Sequence, residues 1–332
     1  MSTTAPHFAQ ARARQALKNA GLPVEEELFR ASSTRNEVFV GEQHVVRVNR
    51  HPNQRLRREA LLCRFLPDAE WAPQVVAYGG ELGADYLIVR RLPGAPLGRC
   101  WPDMSMGLRR SAIRQLGDAI RQLHTISTPV RVPRIDNLPY LIDPRCVTPL
   151  VPMLMGIDRL RSLGIDKGVL DAAEDLAHAT GSAVTDFDQR HLVHGDLTFE
   201  NLLWDGSVLS GVLDFEWSRG APIDMELDVL LRMCAFPYAH VAEDYEDRTR
   251  VVDYAPIPEW LAESNPEMFA HPRLAERLRL YSMAFDLFDL AADPPEQRVA
   301  DLAPLHPMKR LMRLVEGDSY LERVLTPLGI KA

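Results

Sequence analysis

His191-Leu192-Val193-His194-Gly195-Asp196-Leu197-Thr198-Phe199-Glu200-Asn201-Leu202-Leu203-Trp204, followed by Val208-Leu209-Ser210-Gly211-Val212-Leu213-Asp214-Phe215-Glu216, is the stretch that decides how this chain is read. A short apolar run enters a polar loop at His194. The next two runs, rich in Leu and Val, read as short strands joined by a turn at Asp205-Gly206. Asp196 and Asn201 lie five residues apart in the loop, and Asp214 leaves the second strand thirteen residues after Asn201. A loop of this length can aim Asp196 at a hydroxyl group and return Asn201 to a cation. Asp214 is then placed to give that cation a second hard oxygen. Phosphoryl transfer from a nucleotide requires such parts: a carboxylate to orient the attacking hydroxyl, oxygen ligands for Mg2+, and a fixed positive charge on the phosphates.

The fixed charge is sought upstream. Glu37 to Val40 and His44 to Val48 are β-branched runs around Gly41 and read as a hairpin, with Arg47 on its second strand. Glu27 to Ser33 reads as a strand before it, and the polar turn Ser32 to Asn36 lies between. Asn53 to Leu66 has a helical apolar rhythm and stops at Pro67; it carries Glu59. Val75 to Tyr78 and Tyr86 to Val89 read as another hairpin around Gly79, Gly80 and Gly83. The Gly-Gly-Glu-Leu-Gly run there leads into a strand rather than a helix, which argues against a phosphate-binding loop. His7 to Ala20 reads as a helix ending at Gly21.

Residues 1–92 are therefore expected to form a small, mostly antiparallel N-lobe, with Pro93 to Pro96 as a linker. Residues 93–332 are expected to form a larger, mostly helical lobe. Its expected helices are Met106 to Ile126, Ile157 to Leu163, Val169 to Ala179, Met225 to Cys234, Arg273 to Ala291 and Pro307 to Leu325. Pro129 to Pro152 and Tyr254 to Pro272 read as long connections.

His194-Gly195-Asp196 … Asn201, followed at the same spacing by Val212-Leu213-Asp214-Phe215-Glu216, closely resembles the aminoglycoside phosphotransferase and choline kinase family. The resemblance spans roughly residues 30 to 235. It implies an α+β, two-lobed protein-kinase-like fold, with ATP (GTP as the alternative) between the lobes and Mg2+ as the metal. It implies Asp196 as the catalytic carboxylate and Asn201 and Asp214 as metal ligands. Arg47 would take the phosphates and pair with Glu59. Ser33 and Asn36, in the Ser32 to Asn36 turn, would cap the phosphates, and Arg90, Arg91 and Leu92 would flank the adenine. His194 and Glu216 would support the site. Asp228, with Asp224 as the alternative, would hold the structural role that follows the metal-binding segment. The chain departs from the usual pattern in three ways: Arg47 stands where most kinases of this fold carry Lys, the nucleotide loop is not Gly-rich, and the stretch from Gly220 to Asp228 is longer than the usual spacing.

The implied acceptor is a hydroxyl of a small molecule, either an aminoglycoside-like or other antibiotic or a sugar or amino-alcohol metabolite. Asp214 runs within about ten residues into Leu227-Asp228, which leaves little room for a protein kinase's activation segment. A catalytically silent nucleotide-binding relative is the rival reading; Asp196, Asn201 and Asp214 argue against it and Arg47 leaves it open. The acidic run Glu243-Asp244-Tyr245-Glu246-Asp247 reads either as a solvated turn or as the rim of a site for a cationic acceptor.

Composition agrees with an enzyme of this kind. An apolar fraction of 46% with 25% charged residues is that of an ordinary globular protein, and a net charge of −8 argues against a general nucleic-acid binder. The four cysteines, Cys63, Cys100, Cys146 and Cys234, lie far apart and read as inert thiols in a reducing compartment. No apolar run is long enough for a membrane span, and the N-terminus has no signal-peptide anatomy, so the expected location is cytoplasmic. The oligomeric state is left open.

Overall fold

Strand alternation organises the N-terminal third of the computed structural model, which describes residues 6–31, 33, 36–128, 132–133, 141 and 149–331. Helix α1 (Pro6–Asn19) is followed by strands β1 (Phe29–Ala31), β2 (Asn36–Val40) and β3 (His44–Asn49), helix α2 (Arg55–Leu62), and strands β4 (Val75–Gly79) and β5 (Tyr86–Arg90). The strands form one antiparallel sheet in the order β1-β2-β3-β5-β4. Side chains on a strand alternate between its faces. Phe39, Val46, Val48 and Ile88 point to one face and pack on Ala9, Ala13, Ala16 and Leu17 of α1. Leu87 points to the other and packs on Leu56 and Ala60 of α2. Arg47, between Val46 and Val48, therefore faces α2.

The rest of the chain carries β6 (Ala95–Pro96), α3 (Leu97–Cys100), α4 (Met106–His124), α5 (Leu150–Ser162), α6 (Lys167–Thr180), β7 (Leu192–Val193), β8 (Leu202–Trp204), β9 (Leu209–Val212), β10 (Arg219–Gly220), α7 (Glu226–Ala235), α8 (Ile257–Ser264), α9 (Leu274–Ala292), α10 (Pro307–Glu316) and α11 (Tyr320–Leu325). One large apolar core runs through these helices, and Leu62, Trp71 and Ala72 of the N-terminal third join it. The two lobes are thus seamed together below α2.

Three expectations change. Pro93 to Pro96 is more than a linker: β6 pairs with β8, and Gly94, at φ 101°, lies where a Cβ would come 2.5 Å from the Trp204 carbonyl oxygen. The Tyr254 to Pro272 connection contains α8, whose Ile257 and Leu261 are buried. The expected helix from Pro307 to Leu325 is two helices. Gly317, at φ 73°, ends α10, and the Ser319 hydroxyl caps α11 by accepting from the Leu321 amide. Most of the Pro129 to Pro152 connection lies outside the described residues, and its end, from Leu150, is already helical.

Candidate active site

The loop from His194 to Asn201 is closed by its own backbone. Thr198 N–H donates to the Asp196 carbonyl and Asn201 N–H to the Thr198 carbonyl. The Asn201 amide Nδ2 donates to the Asp196 carbonyl at 2.8 Å and to its carboxylate at 3.3 Å. Leu213 N–H donates to the Asn201 carbonyl at 2.8 Å, which fixes the approach to Asp214. The buried His194 ring spans the same two segments. Its Nδ1 accepts from Asp196 N–H at 3.3 Å, so Nε2 carries the proton and donates to the Leu213 carbonyl at 2.8 Å. Burial holds His194 below the usual histidine range, in keeping with a neutral ring that braces the loop.

Glycine is required at position 195. Its φ is 78°, and a Cβ there would lie 2.5 Å from Arg219 Nη1. Beneath the loop, Phe199 packs against Trp101 and Tyr254, with ring centroids at 4.7 Å and 5.4 Å. Asp214 has φ 66°, the one positive φ outside glycine among the described residues. Such a conformation persists only where the surroundings impose it, and it recurs at functional sites.

Across the cleft, Arg47 Nη1 meets Glu59 Oε2 at 2.5 Å, and its Nη2 meets Asp214 Oδ1 at 3.0 Å and Glu216 Oε2 at 3.6 Å. Burial alone would lower the Arg47 guanidinium, but the three carboxylates around it raise it well above its usual range. Burial pushes the Glu59 carboxyl up and Arg47 opposes that shift. Glu216 is raised by burial and by Asp214 and is opposed by Arg47 and Arg55. Burial, then Asp214 and Glu216, push the Asp196 carboxyl up to about 7.

The structure gathers Arg47, Glu59, His194, Asp196, Asn201, Asp214 and Glu216 into one place. Other candidates are placed differently. Asn36 is buried on β2, on the same sheet face as Arg47, and neither atom of its side-chain amide has a hydrogen-bond partner among the described residues. Ser33 contributes its carbonyl to Arg50 at 3.0 Å, while Ser32, Thr34 and Arg35 of the same turn lie outside the described residues. Arg90 and Arg91 are exposed, and Arg91 donates back to the Gly41 carbonyl at 2.8 Å. Leu92 packs its side chain against Gly211 of β9.

Asp228 does not brace the catalytic loop. It faces Tyr320 at 3.2 Å and Arg232 at 3.6 Å. Asp224 is no substitute, since its carboxylate is committed to Arg277 at 2.5 and 3.0 Å. The brace is Glu226, which accepts from the backbone N–H of His194 at 2.7 Å and of Gly195 at 3.0 Å and lies 3.6 Å from His124. Burial works against its charge, yet these partners hold its carboxyl below the usual range. Sequence reasoning named the acids on either side of Glu226 and passed over it. It also missed Arg55, Arg58 and Arg219, although Arg55, Arg58 and Glu59 stand at i, i+3 and i+4, the spacing of one helix face.

Cys63 and Cys234 are buried and Cys100 is half-buried, all three free; burial raises each thiol. Cys146 lies outside the described residues. Among the described residues no helix is long and apolar enough to cross a membrane.

No curated protein matches the chain. Solved structures do. ADP-bound aminoglycoside phosphotransferase APH(2'')-Ib superimposes with a TM-score of 0.59 at 16% identity, over 95% of this chain and 98% of that one. A thermostable mutant of APH(4)-Ia, in ternary complex with ADP and hygromycin B, gives 0.58 at 13% identity, over 95% and 97%. The gentamicin complex of APH(2'')-IIa gives 0.57 at 17% identity, over 97% of both. At these identities the likeness establishes the two-lobed, kinase-like fold. The model of the phosphotransferase enzyme family matches residues 27–263, well over half of the sequence, and the chain belongs to that family.

Proposed function

We propose that this phosphotransferase moves the terminal phosphoryl group of ATP, with Mg2+, to a hydroxyl of a small molecule. The observation that carries the reading is the convergence of Asp196 and Asn201 on a closed loop with Asp214 in a left-handed turn beside the Arg47–Glu59 pair.

The residues suit the implied groups. Carboxylate oxygens of Glu59, Asp214 and Glu216 come within 4.8 Å of one another, and Glu216 Oε2 is buried with no hydrogen bond. Glu59 is held by Arg47; Asp214 meets Arg47 through Oδ1 and Glu216 meets Arg55 through Oε1, so each would turn its second oxygen to a cation. Asn201 turns its Nδ2 to Asp196 and so offers Oδ1 as a further hard ligand. Held by these residues, Mg2+ would supply positive charge against the phosphates.

The chain's own residues do the rest. Arg47 presents a guanidinium that is always charged and can take phosphate oxygens while Glu59 holds it. The buried Asn36 amide, on the same face, supplies unpartnered donors for phosphate. Asp196 orients the acceptor hydroxyl and takes its proton late, since the transition state is loose and positioning dominates. Asp214 and Glu216, the two charges that raise Asp196, are also the residues that would hold a cation, whose charge would offset theirs.

A specific contact favours an amine-bearing acceptor. Glu200, beside Asn201, is half-buried, and its carboxyl is raised by burial, opposed by Arg99, raised by Asp244, and hydrogen-bonded by the Ala242 backbone. The acidic run at residues 243–247 is therefore docked on the catalytic loop, where negative charge would draw a cation. The solved relatives bound to gentamicin or hygromycin B support the same class of acceptor.

The test is a mass-spectrometric screen of wild type and Asp196→Asn with Mg·ATP and a panel of aminoglycosides, other antibiotics, amino alcohols and sugars. A product heavier by one phosphate with wild type only is expected. Products that are equal in both proteins would sink the assignment of Asp196. Nucleotide binding with no product from any acceptor would favour the silent relative.

A further inference from the structure

Helix α2 turns Arg55, Arg58 and Glu59 toward the segment that follows Asp214, and their targets differ. Glu59 holds Arg47 and accepts from the Phe215 amide. Arg55 meets the Glu216 carboxylate at 2.5 Å and lies over the Trp217 ring at 4.7 Å. Arg58 has no carboxylate partner among the described residues. Its guanidinium donates only to main-chain carbonyls: Glu216 at 3.1 Å, Ser218, and Pro133. The side chain is buried, and burial together with nearby Arg219 pushes it down to about 10.

A buried cation whose partners among the described residues are all main-chain carbonyls is costly, and an apolar residue would pack a helix against the other lobe more cheaply. What a guanidinium adds is a rigid fork of donors that can fix several carbonyls in one geometry. The carbonyls it fixes belong to the turn that carries Asp214. On the near side Asp214 is held through Leu213, by Asn201 and His194. On the far side the turn is held by Arg58, by Arg219 on the Trp217 carbonyl at 3.0 Å, and by the Ser218 hydroxyl on the His194 carbonyl at 3.2 Å. From the N-lobe, Glu59 reaches the Phe215 amide and Arg55 the Glu216 side chain, and Arg58 is the N-lobe residue that bonds to carbonyls within residues 216–218.

We propose that Arg58 is a positioning residue: by holding residues 216–218 from the opposite lobe it sets the Asp214 carboxylate for its cation. The Arg47–Glu59 pair, closed by its own contact, does not depend on these bonds. The inference rests on the reading of Asp214 as a ligand of nucleotide-bound Mg2+.

Calorimetry of ADP binding to the full chain, with and without MgCl2, tests it in wild type, Arg58→Lys, Arg58→Met and Asp214→Asn. Lysine keeps the charge but cannot span three carbonyls. The expected result is metal-free ADP affinity near wild type in both Arg58 variants. The gain on adding Mg2+ should fall roughly 10-fold in Arg58→Lys and further in Arg58→Met, as when a group behind a metal ligand is removed. Should Arg58→Met fail to fold, Arg58→Lys carries the test. A Mg2+ gain unchanged in Arg58→Lys, while Asp214→Asn abolishes it, would overturn the proposal and leave the metal reading intact. Equal loss of metal-free and Mg2+-dependent affinity in Arg58→Lys would reduce Arg58 to scaffold. A full Mg2+ gain in Asp214→Asn would remove the metal reading and this inference with it.

Discussion

The catalytic loop and the surface that faces it from residues 243–248 are held in opposite ways. In the loop the bonds are buried or half-buried and run largely through the backbone: Asn201 to Asp196, His194 to Leu213, and Glu226 to His194 and Gly195. The facing surface is tied by side chains remote in sequence and mostly open to water. Arg248 pairs with Asp103 at 2.8 Å with both largely exposed, and Arg99 lies over Tyr245 at 5.3 Å. A buried network loses much when one member is removed, whereas an exposed pair loses little. The chemistry is thus fixed by a part that tolerates almost no change, and the acceptor would be read by a part that can change freely.

The comparison is broken hardest at Asp196. Asp196→Asn keeps the shape of the side chain and removes its basicity, so turnover should fall by about 10²- to 10⁴-fold with nucleotide affinity retained. Steady-state rates beside ADP titration check this; a modest drop would mean that the loop's buried order is not there to serve this carboxylate.

Glu226→Ala comes next. It strands two buried backbone N–H groups and should destabilise the protein by about 3 kcal/mol, while Glu226→Gln, which keeps one acceptor oxygen, should cost roughly half as much. Denaturant unfolding measures both. Gly195→Ala places a side chain at φ 78° against Arg219 and should cost about 2 kcal/mol or more, with loss of activity ahead of loss of fold.

On the facing surface the effects should be small and selective. Asp244→Asn should raise KM for an amine-bearing acceptor by about 2- to 10-fold and leave kcat and the KM for ATP alone, as expected for an interaction made equally in ground and transition states. Arg248→Ala, which removes an exposed pair with Asp103 and an exposed stack on Tyr245 at 5.5 Å, should shift the unfolding midpoint little. If Arg248→Ala unfolded the protein, or Asp244→Asn lowered kcat as far as Asp196→Asn does, the division between the two regions would fail.

Much of the chain was readable because its signals are local. The hairpin around Gly41 placed Arg47 on a strand, the apolar rhythm of α2 placed Glu59 on a helix, and the spacing of Asp196, Asn201 and Asp214 described one loop and the strand pair after it. Reading was weaker where a signal was brief. Gly317 splits the last helical stretch into α10 and α11, and the four turns of apolar residues around it masked the break.

The sequence by itself determined the antiparallel N-lobe, because strand alternation and turns are set by neighbours a few residues away, and its motifs carried the resemblance that pointed to the kinase-like fold and singled out Asp196, Asn201 and Asp214. Only the tertiary structure chose among Asp224, Glu226 and Asp228, three acids within five residues. Their roles depend on the rotation of α7 against a loop some thirty residues upstream, with Arg277 and Tyr320 waiting for the two that turn away. Arg58 was settled in the same way. A buried charge is stable only where donors and acceptors from distant segments meet it, and those partners are brought together by the folded lobes rather than by the local run of residues.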